Sequence, residues 1–200
     1  PKSLMYHGDI DLVMKTSADN GKTWSALQVI WNNGTNTCGN PAPVVDKTTG
    51  HVLVAATLNN DKVFILRSTD EGATWQAPLD ITTAVKPTGW QWYATGPGHS
   101  IQLQSAAHRN RIVVPCNHTT TTNPLHVSHI IYSDDNGYTW QQGGEVSAAK
   151  TDECTVAELS NGNLLLNMRN NQRPLPNRKT ATSTNGGLTW STPAYDSTLI

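Results

Sequence analysis

The sequence predicts an all-β protein built from repeated antiparallel sheets, and three observations carry that prediction. An eight-residue motif, Ser-x-Asp-x-Gly-x-Thr-Trp, occurs at residues 17–24, 68–75 and 133–140, and again at 183–190 with Asn185 in place of the Asp. The copies, called boxes below, start 51, 65 and 50 residues apart, a spacing typical of repeat architectures. The apolar segments between them are short and rich in Val, Ile and Leu, as in β-strands.

Each box is predicted to be a hairpin turn that caps itself. Asp, Asn and Gly tolerate the backbone conformations of a tight turn, and Ser and Asp side chains can bind the amides of that turn. The Trp that follows can cover the underside of the turn with its apolar face. We interpret the boxes as structural staples, not as a binding site. Their key positions are Asp19, Asp70, Asp135 and Asn185.

The segments between the boxes predict sheets of four strands. Three units have expected strands at 41–46, 51–58, 62–68 and 77–81, at 99–105, 111–117, 127–133 and 143–147, and at 154–160, 163–170, 179–183 and 192–196. The first unit has only 9–17 and 26–31, and an insertion is expected near 81–98. Four antiparallel strands repeated in this way predict a β-propeller.

The expected blades are a half blade at 1–36 and whole blades at 37–88, 89–150 and 151–200. Propellers close with roughly four to eight blades. About three and a half blades would leave sheet edges exposed. We therefore expect this chain to be part of a larger propeller domain.

Composition excludes several classes of partner. The net charge is -1 and 14% of the residues are charged. The sequence has no basic stripe of the kind that predicts nucleic-acid binding. The sequence contains no run of 18 apolar residues, which is the length that predicts a transmembrane span. The three cysteines fit no zinc spacing and are expected to be buried free thiols, so neither a metal nor a cofactor is expected. Two glycosylation sequons, at Asn33 and Asn117, slightly favour a secreted, lysosomal or periplasmic protein without assigning a compartment.

Topology predicts where chemically active residues gather. Neighbouring strands of a blade run in opposite directions. The start of the first strand, the end of the second and the start of the third therefore lie at one end of the sheet, and the boxes lie at the other end. Glu153 and Arg169, sixteen residues apart, are thus expected on adjacent strands near the propeller axis. Spacing alone also fits plainer interpretations, a surface salt bridge for Arg169 and an exposed turn residue for Glu153.

Four segments are similar to one known family. They are 8–12 before the first box, Asn40-Pro41 followed by Asp46, 96–99 (Gly-Pro-Gly-His), and 152–159 continuing to 166–169. With these segments and the boxes, the chain resembles exo-α-sialidases (neuraminidases) of the bacterial and animal type, whose propeller has six blades. The resemblance implies that Glu153 is the base for a tyrosine nucleophile and that Arg169 belongs to an arginine triad for the substrate carboxylate. It also implies that Asp152 and Asn40 line the sugar pocket.

The same resemblance implies hydrolysis of terminal sialic acids from glycoconjugates with retention, so the expected partners are sialylated glycans. The tyrosine and the other arginines of the triad are expected outside this chain. The acid/base aspartate is expected a few residues before 8–12, where 2–6 carries no acid, and Asp9 is the candidate substitute. The alternative is a non-catalytic propeller that binds an acidic glycan without cleaving it.

Overall fold

The computed structural model describes residues 8–122, 125–146, 150–171 and 177–199, and within these ranges the strands form four antiparallel sheets. The first sheet pairs β1 (Leu12–Met14) with β2 (Gln28–Trp31), and the second contains β3 (Cys38–Val45), β4 (Val52–Leu58), β5 (Lys62–Ser68) and β6 (Leu79–Asp80). The third contains β7 (Trp90–Thr95), β8 (Ile101–Gln102), β9 (Ile112–Thr120), β10 (Val127–Ser133) and β11 (Gln141–Glu145). The fourth contains β12 (Thr151–Glu158), β13 (Leu164–Asn170), β14 (Lys179–Ser183) and β15 (Ala194–Tyr195).

The apolar core lies between successive sheets. Leu53 and Ala55 of β4 pack towards the third sheet, whereas Val54 and Ala56 pack towards the first. Alternate residues of a strand point to opposite faces, so a strand covered on both faces is apolar throughout. A third cluster lies between the third and fourth sheets. These stacked antiparallel sheets are the blades of a β-propeller, as the sequence predicted, while the blade limits in residue numbers stay a prediction.

The third sheet corrects the sequence prediction. Its inner strand was expected at 99–105, but β7 and β8 share that place, and both pair with β9. Part of the expected insertion at 81–98 is therefore strand, and residues 82–85 form the short helix α1 (Thr82–Val85). Gly96 and Gly98 have positive φ angles of 77° and 108°, which interrupt the extended backbone between β7 and β8. Within the described ranges, no helix is long and apolar enough to cross a membrane.

The first strand of the fourth sheet begins earlier in the chain than expected. β12 begins at Thr151 instead of residue 154, so Asp152 and Glu153 lie within a strand and not in the turn before it. Ser183 begins the fourth box and pairs with Leu164 at the start of β13, whereas Thr151 pairs with Asn170 at its end. The box and the predicted site residues thus lie at opposite ends of this sheet.

The boxes form the hydrogen-bond network that the motif predicts. In the third box the Ser133 Oγ donates to Asp135 Oδ1 at 2.8 Å, and Asp135 accepts from the Thr139 amide at 2.8 Å and hydroxyl at 2.6 Å. Hydrogen bonds from Thr74 hold the pKa of Asp70 down to about 2. In the fourth box Asn185 Oδ1 accepts from the Thr189 amide, while Asn185 Nδ2 donates to the Thr189 hydroxyl. The Asn185 amide thus takes the place of the Asp carboxylate. Only the bond to the Thr hydroxyl changes direction, because Asn185 Nδ2 donates to it where an Asp oxygen accepts from it.

The box tryptophans cover their turns unequally. Trp140 is 4% exposed within the core between the second and third sheets. Trp190 donates from Nε1 to the Gly144 carbonyl of the preceding sheet. Trp24, in the connection between β1 and β2 of the first sheet, is 60% exposed. A box Trp is therefore buried only where another sheet packs beside it. All three cysteines are buried and free, as expected.

Candidate active site

A β-bulge brings the predicted acidic residues together. Thr151 pairs with Asn170 and Cys154 pairs with Met168, so Asp152 and Glu153 both oppose the single residue Arg169. Bulges of this kind redirect side chains and are common beside active sites. The Arg169 Nη1 donates to Glu153 Oε2 at 3.1 Å and lies 3.6 Å from Asp152 Oδ2. The pair that was inferred from a sixteen-residue spacing is in direct contact.

The second sheet has the same irregularity at the same end. Gly39 pairs with Thr57 and Ala42 pairs with Ala55, so Asn40 lies in a bulge with a φ angle of 56°. Asn40 Oδ1 accepts hydrogen bonds from Thr57 Oγ1 and Asn60 Nδ2, both at 2.7 Å. These bonds hold the Asn40 side chain in one orientation.

Asn40, Glu153 and Arg169 border one cavity of about 430 Å³. Its lining comprises Asn40, Asn60, Trp92, Ala94, Thr95, Gly96, Pro97, Glu153 and Arg169. The side chains of Glu153 and Arg169 are 47% and 52% exposed, so both can reach a ligand. The volume lies within the usual range for small-molecule sites, roughly 300–1,000 Å³. The cavity offers a cation, a carboxylate, amides and an indole ring.

The segment between β7 and β8 forms one wall of this cavity. The Gly96–Pro97 peptide is cis, and the Gly96 carbonyl accepts from the Cys154 amide at 3.3 Å. On the other side, the Ser100 hydroxyl donates to the Ala42 carbonyl at 3.0 Å. The wall is thereby attached to the inner strands of both neighbouring sheets.

Asp152, which the resemblance places at the sugar pocket, is almost buried in the structure. Its side chain is 8% exposed, and among the described residues it is not part of the cavity lining. Asp152 Oδ1 accepts from Asn117 Nδ2 at 2.8 Å, and Asp152 Oδ2 accepts from Asn171 Nδ2 at 2.7 Å. His126 Nδ1 lies 3.2 Å from Asp152 Oδ1, without the geometry of a hydrogen bond. Asp152 is therefore behind Arg169.

Sequence reasoning missed Trp92 and Asn60 as lining residues. Trp92 lies in the Trp-rich segment that was expected to be an insertion, and its ring meets the His126 ring edge-on at 4.8 Å. Asn60 has a positive φ angle of 52° in the turn between β4 and β5. An Asn at such a turn is commonplace, so this position carried no functional signal.

Sequence reasoning also missed a buried cluster of aromatic rings in the third sheet. The Nδ1 atoms of His118 and His129 are 3.1 Å apart, and His129 Nε2 lies 2.9 Å from the Tyr93 hydroxyl. Burial, with a smaller contribution from His126, lowers the pKa of His118 to about 4. Burial, together with His118, also lowers the pKa of His129. Both rings are thus neutral at pH 7.

The candidate acid Asp9 has no described contact with the site. Asp9 is exposed, and none of its described contacts joins it to Glu153 or Arg169. Residues 2–6, where the acid/base aspartate was expected, lie outside the described residues. A second cavity of about 370 Å³ lies along the inner strands, where its lining includes Lys47 and Glu158.

The repeat architecture agrees with comparisons to known proteins. The family of BNR repeat-like domains matches residues 5–198. The chain belongs to this family.

Relatives of this BNR repeat-like chain include several sialidases. The sialidase of Bacteroides fragilis is 30% identical over 91% of this chain and 37% of its own length. That of Micromonospora viridifaciens is 28% identical over 100% of this chain and 34% of its own length. In three dimensions, the Hadza microbial sialidase Hz136 is similar with a TM-score of 0.82 and 28% identity, over 94% of this chain and 41% of that one. The chain thus spans about a third of the length of these curated relatives, and its resemblance to sialidases is confirmed at the level of the family.

Proposed function

We propose that the protein containing this chain is an exo-α-sialidase that removes terminal sialic acids from glycoconjugates. The observation that carries the proposal is the contact of Arg169 with Glu153 at the rim of the 430 Å³ cavity. A guanidinium there suits the carboxylate of a sialic acid, because its planar donors match two carboxylate oxygens. The sialidase relatives support the same substrate class.

Arg169 has a binding role in this proposal. Its Nη1 is bound to Glu153, while half of its side chain is exposed. A bound sialoside carboxylate accepts hydrogen bonds from the exposed donors of this guanidinium. Asn40, whose Oδ1 is engaged by Thr57 and Asn60, presents the rest of its amide to the pocket.

Glu153 is proposed as the base that accepts the proton of a tyrosine nucleophile outside this chain. The tyrosine oxygen then bonds to the anomeric carbon, and the bond to the leaving alcohol breaks as an acid donates a proton to that alcohol. Water cleaves the sugar–tyrosine bond in the second step, so configuration is retained. A neutral tyrosine suits this reaction, because a carboxylate nucleophile would be repelled by the anionic sugar. Asp9 stays the candidate acid.

The test is steady-state hydrolysis of a fluorogenic sialoside by the full-length gene product. Arg169→Ala should mainly raise KM, because losing one partner of a partly desolvated ion pair costs about 2–5 kcal/mol. Glu153→Gln should mainly lower kcat, since it removes the base while keeping the side-chain shape. Arg109→Ala and Glu71→Gln are matched controls, because both side chains are exposed and lie outside the cavity lining.

Three outcomes separate the alternatives. The anomer released first, followed by NMR, should be the α-sialic acid if configuration is retained. A parent protein that binds a sialoside without turnover supports the non-catalytic propeller instead. Near-parental kcat/KM in both Glu153→Gln and Arg169→Ala contradicts the assignment of the site.

A further inference from the structure

The carboxylate of Asp152 accepts two hydrogen bonds and has two further polar neighbours, although it does not border the cavity. The amides of Asn117 and Asn171 each donate to one of its oxygens, at 2.8 and 2.7 Å. The third and fourth neighbours are His126 Nδ1 at 3.2 Å and Arg169 Nη1 at 3.6 Å. A carboxylate that is 8% exposed and already holds these partners is poorly placed to bind a sugar hydroxyl.

The same atom of Arg169 faces both acidic residues. Its Nη1 lies 3.1 Å from Glu153 Oε2 and 3.6 Å from Asp152 Oδ2, because the bulge in β12 sets both acids opposite one residue of β13. Glu153 is 47% exposed and can move with a ligand. Asp152 is anchored by β9 through Asn117 and by the segment after β13 through Asn171. The anchored carboxylate thus fixes where the guanidinium can lie.

We propose that Asp152 is a positioning residue that holds Arg169 in the orientation that receives the carboxylate of a sialoside. This inference rests on the proposed function and deepens it. Arg is a long side chain that loses much rotational freedom when it binds. Fixing it before the ligand arrives reduces that cost, which is the general benefit of preorganisation. Asp152 itself makes no contact with the sugar.

Removing the negative charge of Asp152 also has an effect that would strengthen binding, because that charge repels an anionic ligand. The Asp152 carboxylate attracts the Arg169 guanidinium at a distance of 3.6 Å. It repels the ligand carboxylate from further away, because the guanidinium lies between them. The two amides that donate to Asp152 also disperse its charge, and salt screens charges that act across an open cavity. The loss of orientation should therefore exceed the relief of repulsion.

The experiment compares ligands that differ only at the carboxylate. Affinities of the full-length gene product for the α-methyl thioglycoside of sialic acid, which resists hydrolysis, and for its methyl ester are measured by calorimetric titration. The parent should prefer the free acid. In Asp152→Asn this preference should fall about tenfold, with ester affinity nearly unchanged, since a fixed Arg–carboxylate contact is worth at least that much. KM should rise in the same variant more than kcat falls.

A second variant and a control separate this effect from loss of folding. Asn171→Ala removes one donor to Asp152 Oδ2 at an exposed position, and should reduce the preference for the acid about threefold, a partial loss of positioning. Asp134→Asn breaks a carboxylate–arginine pair at the box end of the third sheet and should keep the full preference.

The outcomes distinguish this inference from the function on which it rests. A parent without preference for the acid overturns both. A parent that prefers the acid, with the preference intact in Asp152→Asn and Asn171→Ala, overturns the positioning role alone. Tighter binding of the free acid by Asp152→Asn overturns it too, because repulsion would then dominate.

Discussion

Trp90 lies flat on His118, with ring centroids 3.3 Å apart and planes inclined by 4°. His118 is fully buried and pairs with His129, so the stack covers two neutral imidazoles inside the third sheet. A buried imidazole resists protonation, because its charged form loses hydration. Glu145 Oε2, the nearest described carboxylate, lies 3.6 Å from His118 Nε2.

This cluster predicts that acid destabilises the protein. The pKa of His118 is lowered to about 4 by burial and by His126, against about 6.5 in an unfolded chain. The unfolded state therefore binds more protons between these values, so stability is fully present above about pH 6.5 and falls as the pH approaches 4. The shift corresponds to roughly 3 kcal/mol. Free energies of unfolding in urea from pH 7 to 4 measure this decline.

The comparison for this prediction is between two histidine variants. His118→Gln should flatten the decline between pH 6.5 and 4, although it also lowers stability at pH 7. His99→Gln, at an exposed position, should leave the decline unchanged. An identical slope in His118→Gln and the parent would show that this ring does not drive the pH dependence.

The third box predicts a graded response at one position. Asp135 accepts hydrogen bonds from Ser133, the Tyr138 amide, and the amide and hydroxyl of Thr139. Asp135→Ala leaves these donors without their acceptor and should cost about 1–3 kcal/mol of unfolding free energy. Asp135→Asn should cost clearly less, because Asn185 keeps the same network in the fourth box. Equal losses in urea denaturation of the two variants would contradict this.

Substitutions at two box glycines distinguish the cost of backbone strain from the cost of a steric clash. Gly21 and Gly137 have nearly equal φ angles of 82° and 80°, which disfavour a side chain at both. A Cβ at Gly137 would lie 2.5 Å from Leu53 Cδ1, whereas at Gly21 the nearest atom is 3.8 Å away in Trp24. Gly21→Ala should cost about 1 kcal/mol. Gly137→Ala should cost about 1–3 kcal/mol more, because it also overpacks the core. Thermal unfolding of both variants tests whether the difference exists.

Arg111 joins the third sheet to the fourth box. It binds both oxygens of Asp134 at 2.8 Å and donates to the Gly186 carbonyl at 3.0 Å, with its guanidinium 4.1 Å from the centre of the Tyr132 ring. Arg111→Lys keeps the charge but loses this planar geometry, so it should cost about 1–3 kcal/mol of unfolding free energy. The matched control is Arg109→Lys at an exposed position, which should change stability by less than about 0.5 kcal/mol. Equal stability of the two lysine variants would refute the role given to Arg111.

The sequence by itself determined the repeat, the self-capped boxes and the strands beside them. These features are local, because Ser, Asp, Gly and Thr of a box bind one another within four residues. It also placed Glu153 near Arg169, since two antiparallel strands joined by a short Asn-Gly turn bring residues sixteen apart to one end of a sheet.

Only the tertiary structure decided how that end is built. The bulge in β12, the break between β7 and β8, and the position of Asp152 behind Arg169 depend on contacts between different sheets. The exposure of Trp24 and the burial of Trp140 follow the same rule, because the same motif is buried only where a second sheet covers it. Strand register and burial arise from packing between segments far apart in the chain, and no local pattern records that packing.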